Sequence, residues 1–188
     1  MGRWEPDAEG RFRAAAIELF EEIGYERTTV AAIAERAGLT PRTFFRHFAD
    51  KREVLFTGST RLQQAMADAI ANAPARAPAV DAIAAALAKA GDVFDDELRP
   101  FARRRSAVIA ANKELHEREL IKLATMSLAL AQALRARGID EPDASLAAEA
   151  GIAVFRVAFT RWVGESERRG FVEIANETLA RLSTLAAR

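Results

Sequence analysis

Six prolines punctuate the chain, at positions 6, 41, 74, 78, 100 and 142, and none interrupts a long stretch of helical periodicity. A proline ring removes an amide donor and clashes with the preceding turn, so prolines collect at helix entries and in loops. Gly24, Gly38, Gly138 and Gly170 each follow a periodic stretch, where helix-ending glycines are found. Between these marks apolar residues recur three and four apart, strand-like alternation is absent, and Ala, Leu, Glu and Arg dominate. The spacing predicts an all-α fold of about nine helices, near 8–23, 29–37, 41–48, 51–72, 79–97, 100–111, 113–137, 142–166 and 171–186. The loop at 71–80 is the clearest break, but composition shifts earlier, near residue 51, so the fourth helix is expected to bridge two halves.

With 188 residues the chain has room for one or two domains and a sizeable core. Lys and Arg total 27 against 27 Asp and Glu, so any electrostatic footprint must be local. The absence of cysteine excludes disulfides, thiol catalysis and zinc–thiolate sites, and permits a reducing cytosol. His116 lies in HEREL, where Leu120 stands in place of the second histidine of a zinc motif. With two histidines and no phosphate loop, the expectation is no enzyme, no cofactor and no metal. The opening MGRWEPDAEG has no apolar signal core, and the most apolar stretch, 144–163, carries Glu149, Arg156 and Arg161. The expected location is cytoplasmic, without membrane contact.

In the first helix Phe12, Ala15, Ala16, Leu19, Phe20 and Ile23 form a core stripe. Thr28 or Thr29 offers a cap to the second, where Val30, Ile33, Ala34 and Ala37 face inward. Gly38-Leu39-Thr40 forms a tight turn, Thr40 caps, and Pro41 takes the first helical position. Two short helices across a glycine-containing turn make a helix-turn-helix. Phe44 and Phe48, four apart, anchor the helix, while Arg42, Thr43 and Arg46 lie on a second, polar face suited to guanine edges and thymine methyls. From 36 to 52, Arg36, Arg42, Arg46, Lys51 and Arg52 stand against Asp50 alone, five minus one giving +4.

The run AAAIELFEEIGYERTTVAAIAERAGLTPRTFFRHFADKREVLF resembles the N-terminal domain of the TetR family of bacterial transcriptional regulators, over roughly residues 9–56. The resemblance implies a dimeric, ligand-responsive DNA-binding protein, as a rule a repressor, acting on a palindromic operator. By position it implies that Thr29 and its turn approach phosphate, that Thr40, Pro41, Arg42, Thr43 and Arg46 serve the major groove, and that His47 and Lys51 bind backbone phosphates. Phe45 stands where the family commonly has tyrosine, so only van der Waals contact is expected there. Arg3 is the candidate for an N-terminal arm. The implied division is a DNA-binding domain at 1–56 and a ligand-sensing, dimerising domain at 57–188. The stretch from Arg103 to Asp140 is similar to a subgroup found beside mycofactocin biosynthesis genes and to other actinobacterial regulators. Two other readings stay open: an all-α enzyme, and a helix-turn-helix that binds protein.

For the second half, helix 142–166 is apolar almost all round, and helix 171–186 carries a stripe from Phe171 to Leu185. Two such helices from each chain would make a four-helix dimer interface, with Phe155, Phe159, Trp162, Ile174, Leu179 and Leu182 in it. A dimer would set two recognition helices roughly 34 Å apart, one DNA turn. Met66, Phe94, Phe101, Met126, Phe155 and Phe159 are the candidates for lining a cavity for a small apolar effector, with Arg104 in the Arg103–Arg105 run available to an anionic head group.

Overall fold

The computed structural model describes residues 7–186, and Arg3 lies outside them. The described residues form nine α-helices and one 3₁₀ turn: α1 (Ala8–Ile23), α2 (Val30–Arg36), α3 (Pro41–His47), the 3₁₀ turn Glu53–Leu55, α4 (Ser59–Asn72), α5 (Ala79–Ala90), α6 (Arg99–Ala110), α7 (Lys113–Ala136), α8 (Asp143–Trp162) and α9 (Phe171–Ala186). Pro41 and Pro100 fall in the first turns of α3 and α6, and Pro78 and Pro142 cap α5 and α8.

The main departure from expectation is the fourth helix. The periodicity runs unbroken from Val54 and Leu55 to Leu62, Met66 and Ile70, yet the helix begins only at Ser59. Gly58 adopts φ 84°, a left-handed conformation that ends one local helix and opens the next. Helix α5 likewise stops at Ala90 rather than continuing to 97, and α8 stops at Trp162, short of 166. Gly170 opens α9 instead of closing α8, its carbonyl accepting from the Ile174 amide.

Two compact units result. The first takes in the chain to Thr57 and also Arg104–Glu117, which lie outside the 1–56 segment of the expected division. Within it Phe12, Ile17, Ile33, Phe44, Val54 and Leu115 are fully buried, joined by Val108 and Ile109 of α6. The α6–α7 corner is fastened to this core by polar contacts. Arg105 Nε donates to the Leu55 carbonyl at 2.6 Å, with its guanidinium 5.2 Å from the Phe56 ring. Arg104 pairs with Glu21 at 2.5 Å and Arg52 with Glu114 at 2.8 Å. The second unit, Gly58–Arg103 and Arg118–Arg188, packs α4 on α5, α5 against α8 and α9, and α8 on α9. Its core runs from Met66 and Ile70 through Leu87 and Leu134 to Trp162, Phe171 and Ile174. Gly151 of α8 permits the close approach to α5, since a Cβ there would come within 2.9 Å of Ile83 Cγ2. No helix among the described residues is long and apolar enough to cross a membrane.

Candidate nucleic-acid interface

The turn between α2 and α3 is built by hydrogen bonds that the sequence specifies locally. The Gly38 amide donates to the Glu35 carbonyl at 2.9 Å and the Leu39 amide to Ala34 at 2.8 Å, the paired bonds of a Schellman cap. Gly38 takes φ 65°, as that cap requires. A contact from outside the motif locks it: Arg11 of α1 donates from Nη2 to the Ala37 carbonyl at 2.5 Å. No local signal in the sequence marks Arg11 for this task, because its acceptor lies 26 residues away.

Of the two threonines before α2, Thr29 is the cap, accepting the Ala32 amide at 3.1 Å. Thr28 is buried and donates to the Gly24 and Leu19 carbonyls. Thr40 caps α3, accepting the Thr43 amide at 3.1 Å, and the two hydroxyls lie 3.0 Å apart. Phe44 and Phe48 face inward, meeting Phe12 edge-on at ring separations of 5.2 and 5.9 Å. Two edge-to-face contacts onto one ring fix the rotation of the helix as well as its burial. The opposite face is thereby presented: Pro41, Arg42, Phe45, Arg46 and His47 are exposed, and Phe45 keeps 57% of its surface in solvent.

The other three cations of the +4 segment are already committed. Arg36 holds Glu22 at 2.7 Å and Glu18 at 3.2 Å, which keeps the Glu22 carboxyl below its ordinary range. Arg52 holds Asp50 at 2.5 Å as well as Glu114, and its hydrogen bonds lower the Asp50 pKa. The Lys51 ammonium donates to the carbonyls of Tyr25 at 2.8 Å, Thr28 at 3.1 Å and Glu26 at 3.4 Å, and sits 4.2 Å from the Tyr25 ring centre. Lys51 was expected to bind phosphate; its three donors are instead spent clasping the α1–α2 loop, one residue from the Thr29 cap. Burial, aided by Glu114, pushes the Tyr25 phenol up to about 12. Arg42 and Arg46 make no ion pair or hydrogen bond with the described residues. The presented charge is therefore two guanidiniums astride an exposed phenyl ring.

The candidates in the second half are differently placed. Arg104 belongs to the first unit, paired with Glu21 on the surface. Met66 and Met126 are buried core, Phe101 is half-buried, and Phe94, Phe155 and Phe159 pack on one another and on Trp162 and Phe171 at ring separations of 5.0–6.2 Å. As dimer contacts, Trp162 and Ile174 are corrected, since both are fully buried within their own chain, and Phe155 is nearly so. Phe159, Leu179 and Leu182 are half-buried. The periodicity of α8 was legible, but not which side its own neighbours cover. Its outward side carries Leu146 and Val157, at 64% and 50% exposure, with Ala153 between them.

Comparison with known proteins follows this division. A family model described as bacterial regulatory proteins, tetR family, matches residues 12–56. The HTH-type transcriptional regulator TcmR of Streptomyces glaucescens is 45% identical over 84 residues, 44% of this chain and 37% of TcmR. The chain thus aligns with little more than a third of that relative's length. Two solved structures share the fold over nearly the whole chain. One is SmeT, the repressor of the Stenotrophomonas maltophilia multidrug efflux pump SmeDEF, with TM-score 0.56, 24% identity, 95% of this chain and 89% of that one. The other is FadR of Bacillus subtilis in complex with stearoyl-CoA, with TM-score 0.58, 23% identity, 92% of this chain and 96% of that one.

Proposed function

Because the chain belongs to the tetR family of bacterial regulatory proteins, a non-enzymatic family of DNA-binding regulators, we propose that it is a cytoplasmic repressor that binds a palindromic operator as a homodimer and is released by a small, largely apolar effector. The observation that carries the reading is the exposed Arg42–Phe45–Arg46 face on a helix whose rotation is fixed by Phe44 and Phe48. Arg42 and Arg46 read guanine edges in the major groove, and Phe45 packs on sugar or a thymine methyl. Thr29, Thr40, Pro41, Thr43 and His47 flank them and position the helix on the duplex. Lys51 serves through the loop that it holds.

The homodimer forms through the outward side of α8, around Leu146, Ala153 and Val157, together with Leu179, Leu182 and the exposed Leu185 of α9. A two-fold interface of this kind repeats one apolar stripe against itself. SmeT and FadR, a repressor of an efflux pump and a regulator solved with an acyl thioester, support an apolar effector for the aromatic interior of the second unit. An effector lowers operator affinity by its preference for a DNA-incompetent state. A coupling of about 1–3 kcal/mol corresponds to roughly 5–150-fold weaker binding. A mobility-shift titration on DNA from upstream of its own gene, at two salt concentrations, tests the reading. A salt-sensitive shift supports it; no shift, or one indifferent to salt, rejects it.

A further inference from the structure

A second group of arginines lines a pocket of about 210 Å³ within the second unit, formed by Asp96, Arg99, Pro100, Arg103 and Arg168. What holds these side chains is mostly carbonyl oxygen. Arg103 donates to two carbonyls at the exit of α8, Val163 at 2.7 Å and Gly164 at 3.0 Å. Arg99 donates to Glu167 at 2.8 Å and Arg169 at 2.6 Å, both main-chain acceptors. Arg168 donates to the Glu165 and Glu167 carbonyls at 2.7 and 3.2 Å. A carbonyl accepts a hydrogen bond but cancels no unit charge. The one carboxylate in the lining, Asp96, pairs with Arg99 at 2.7 Å, yet its side chain is 80% exposed and the pair is screened by water. Arg103 and Arg168 have no carboxylate partner among the described residues. Three cations against one anion leave an excess of two positive charges around a small concavity.

This arrangement is unlike the arginine usage next to it. Arg161, Arg169 and Arg181 all converge on Glu177, at 3.0, 2.8 and 2.9 Å, and Arg169 also holds Glu167. Those charges are matched; the pocket's are not. Arg99 is itself almost wholly buried, 5.2 Å from the Trp162 ring, with its Nε buried and without a partner. One buried cation, Arg99, and two more accessible guanidiniums, Arg103 and Arg168, line an electropositive recess.

We propose that this pocket binds an oxyanion of the phosphate class, either inorganic phosphate or the phosphate group of a small ester. Guanidinium forks match phosphate oxygens, and a net charge of two suits a dianion better than a carboxylate. The volume is below the roughly 300–1,000 Å³ of sites that enclose a drug-sized molecule, so the ligand is an ion or a head group. The inference goes beyond the regulator reading and does not depend on DNA binding.

Calorimetric titration of the full chain with inorganic phosphate, phenyl phosphate and acetate at constant ionic strength tests it. The expected result is saturable binding of phosphate, of phenyl phosphate or of both, with acetate much weaker. Binding of the ester alone assigns the pocket to a head group, and binding of both assigns it to the phosphate group itself. R168E is expected to weaken binding at least about tenfold while the exposed-loop control R76E stays within about twofold. If R168E lowers the melting temperature of the unliganded chain, R168Q is read in its place, with a partial loss expected. The proposal is overturned if the wild type binds neither phosphate, if acetate binds as tightly, or if the folded Arg168 variant binds like the wild type.

Discussion

Helices α3 and α6 both carry arginines within a single turn, and the structure uses them in opposite ways. On α3, Arg42 and Arg46 stand exposed with no partner among the described residues. On α6, Arg103, Arg104 and Arg105 each reach a different internal acceptor: the α8 exit, Glu21 and the Leu55 carbonyl. The difference lies in what backs each helix. α3 is pinned on one side by aromatic rings that offer no acceptor, so its arginines have nowhere to turn but outward. α6 runs among carbonyl ends and carboxylates, and the guanidiniums of all three are drawn toward the chain's own acceptors. Positive charge counted along a sequence therefore stands out from the surface only where the supporting face is apolar.

The comparison breaks most visibly if the aromatic support is removed. Phe44→Ala is expected to destabilise the first unit by about 3–5 kcal/mol, the usual cost of deleting a fully buried phenyl ring, and to abolish DNA binding. Denaturant unfolding with a mobility shift checks both. Arg42→Ala is expected to leave stability within about 0.5 kcal/mol while costing about 1–3 kcal/mol of operator binding and relaxing base preference. Competition binding with single-base operator variants reads that loss. Lys51→Ala should act in the reverse sense. It strands the carbonyls of Tyr25, Glu26 and Thr28, lowers stability by about 1–2 kcal/mol, and weakens all DNA sequences alike. Arg104→Gln, which removes a half-exposed pair with Glu21, is expected to cost no more than about 1 kcal/mol and to leave operator affinity unchanged.

Acid titration sharpens the contrast between matched and unmatched arginines. The hydrogen bonds of Arg169 and then Arg161 hold the Glu177 carboxyl at about 2, below its ordinary 4.5. A folded-state pKa below the unfolded one contributes stability that is complete above pH 4.5 and is lost as pH falls toward 2. Glu177→Gln should flatten the acid limb of the stability curve in that window, as followed by circular dichroism.

Much of the first unit was legible because its determinants are local. The Schellman turn at Gly38, the Thr40 cap, Pro41 and the Phe44–Phe48 spacing lie within fifteen residues and act within one turn of where they are written. Lys51 and Arg11 were misread or missed because their acceptors lie 23 to 26 residues away. The break at Gly58 was hidden by apolar spacing that continues on both sides of it. On α8 the periodic pattern marks a buried helix but not which neighbour buries it, so Trp162 and Ile174 were given to a partner chain when their own chain already covers them.

The central claim is that the α3 arginines, and not those of α6, meet the DNA. Fluorescence anisotropy on DNA from upstream of the chain's own gene, with the R42A/R46A double variant beside R104A, tests it most directly. The expected result is that the double variant loses at least about tenfold in affinity and its preference over shuffled DNA, while R104A binds like the wild type. Unchanged binding by the double variant, or loss confined to R104A, would contradict the account.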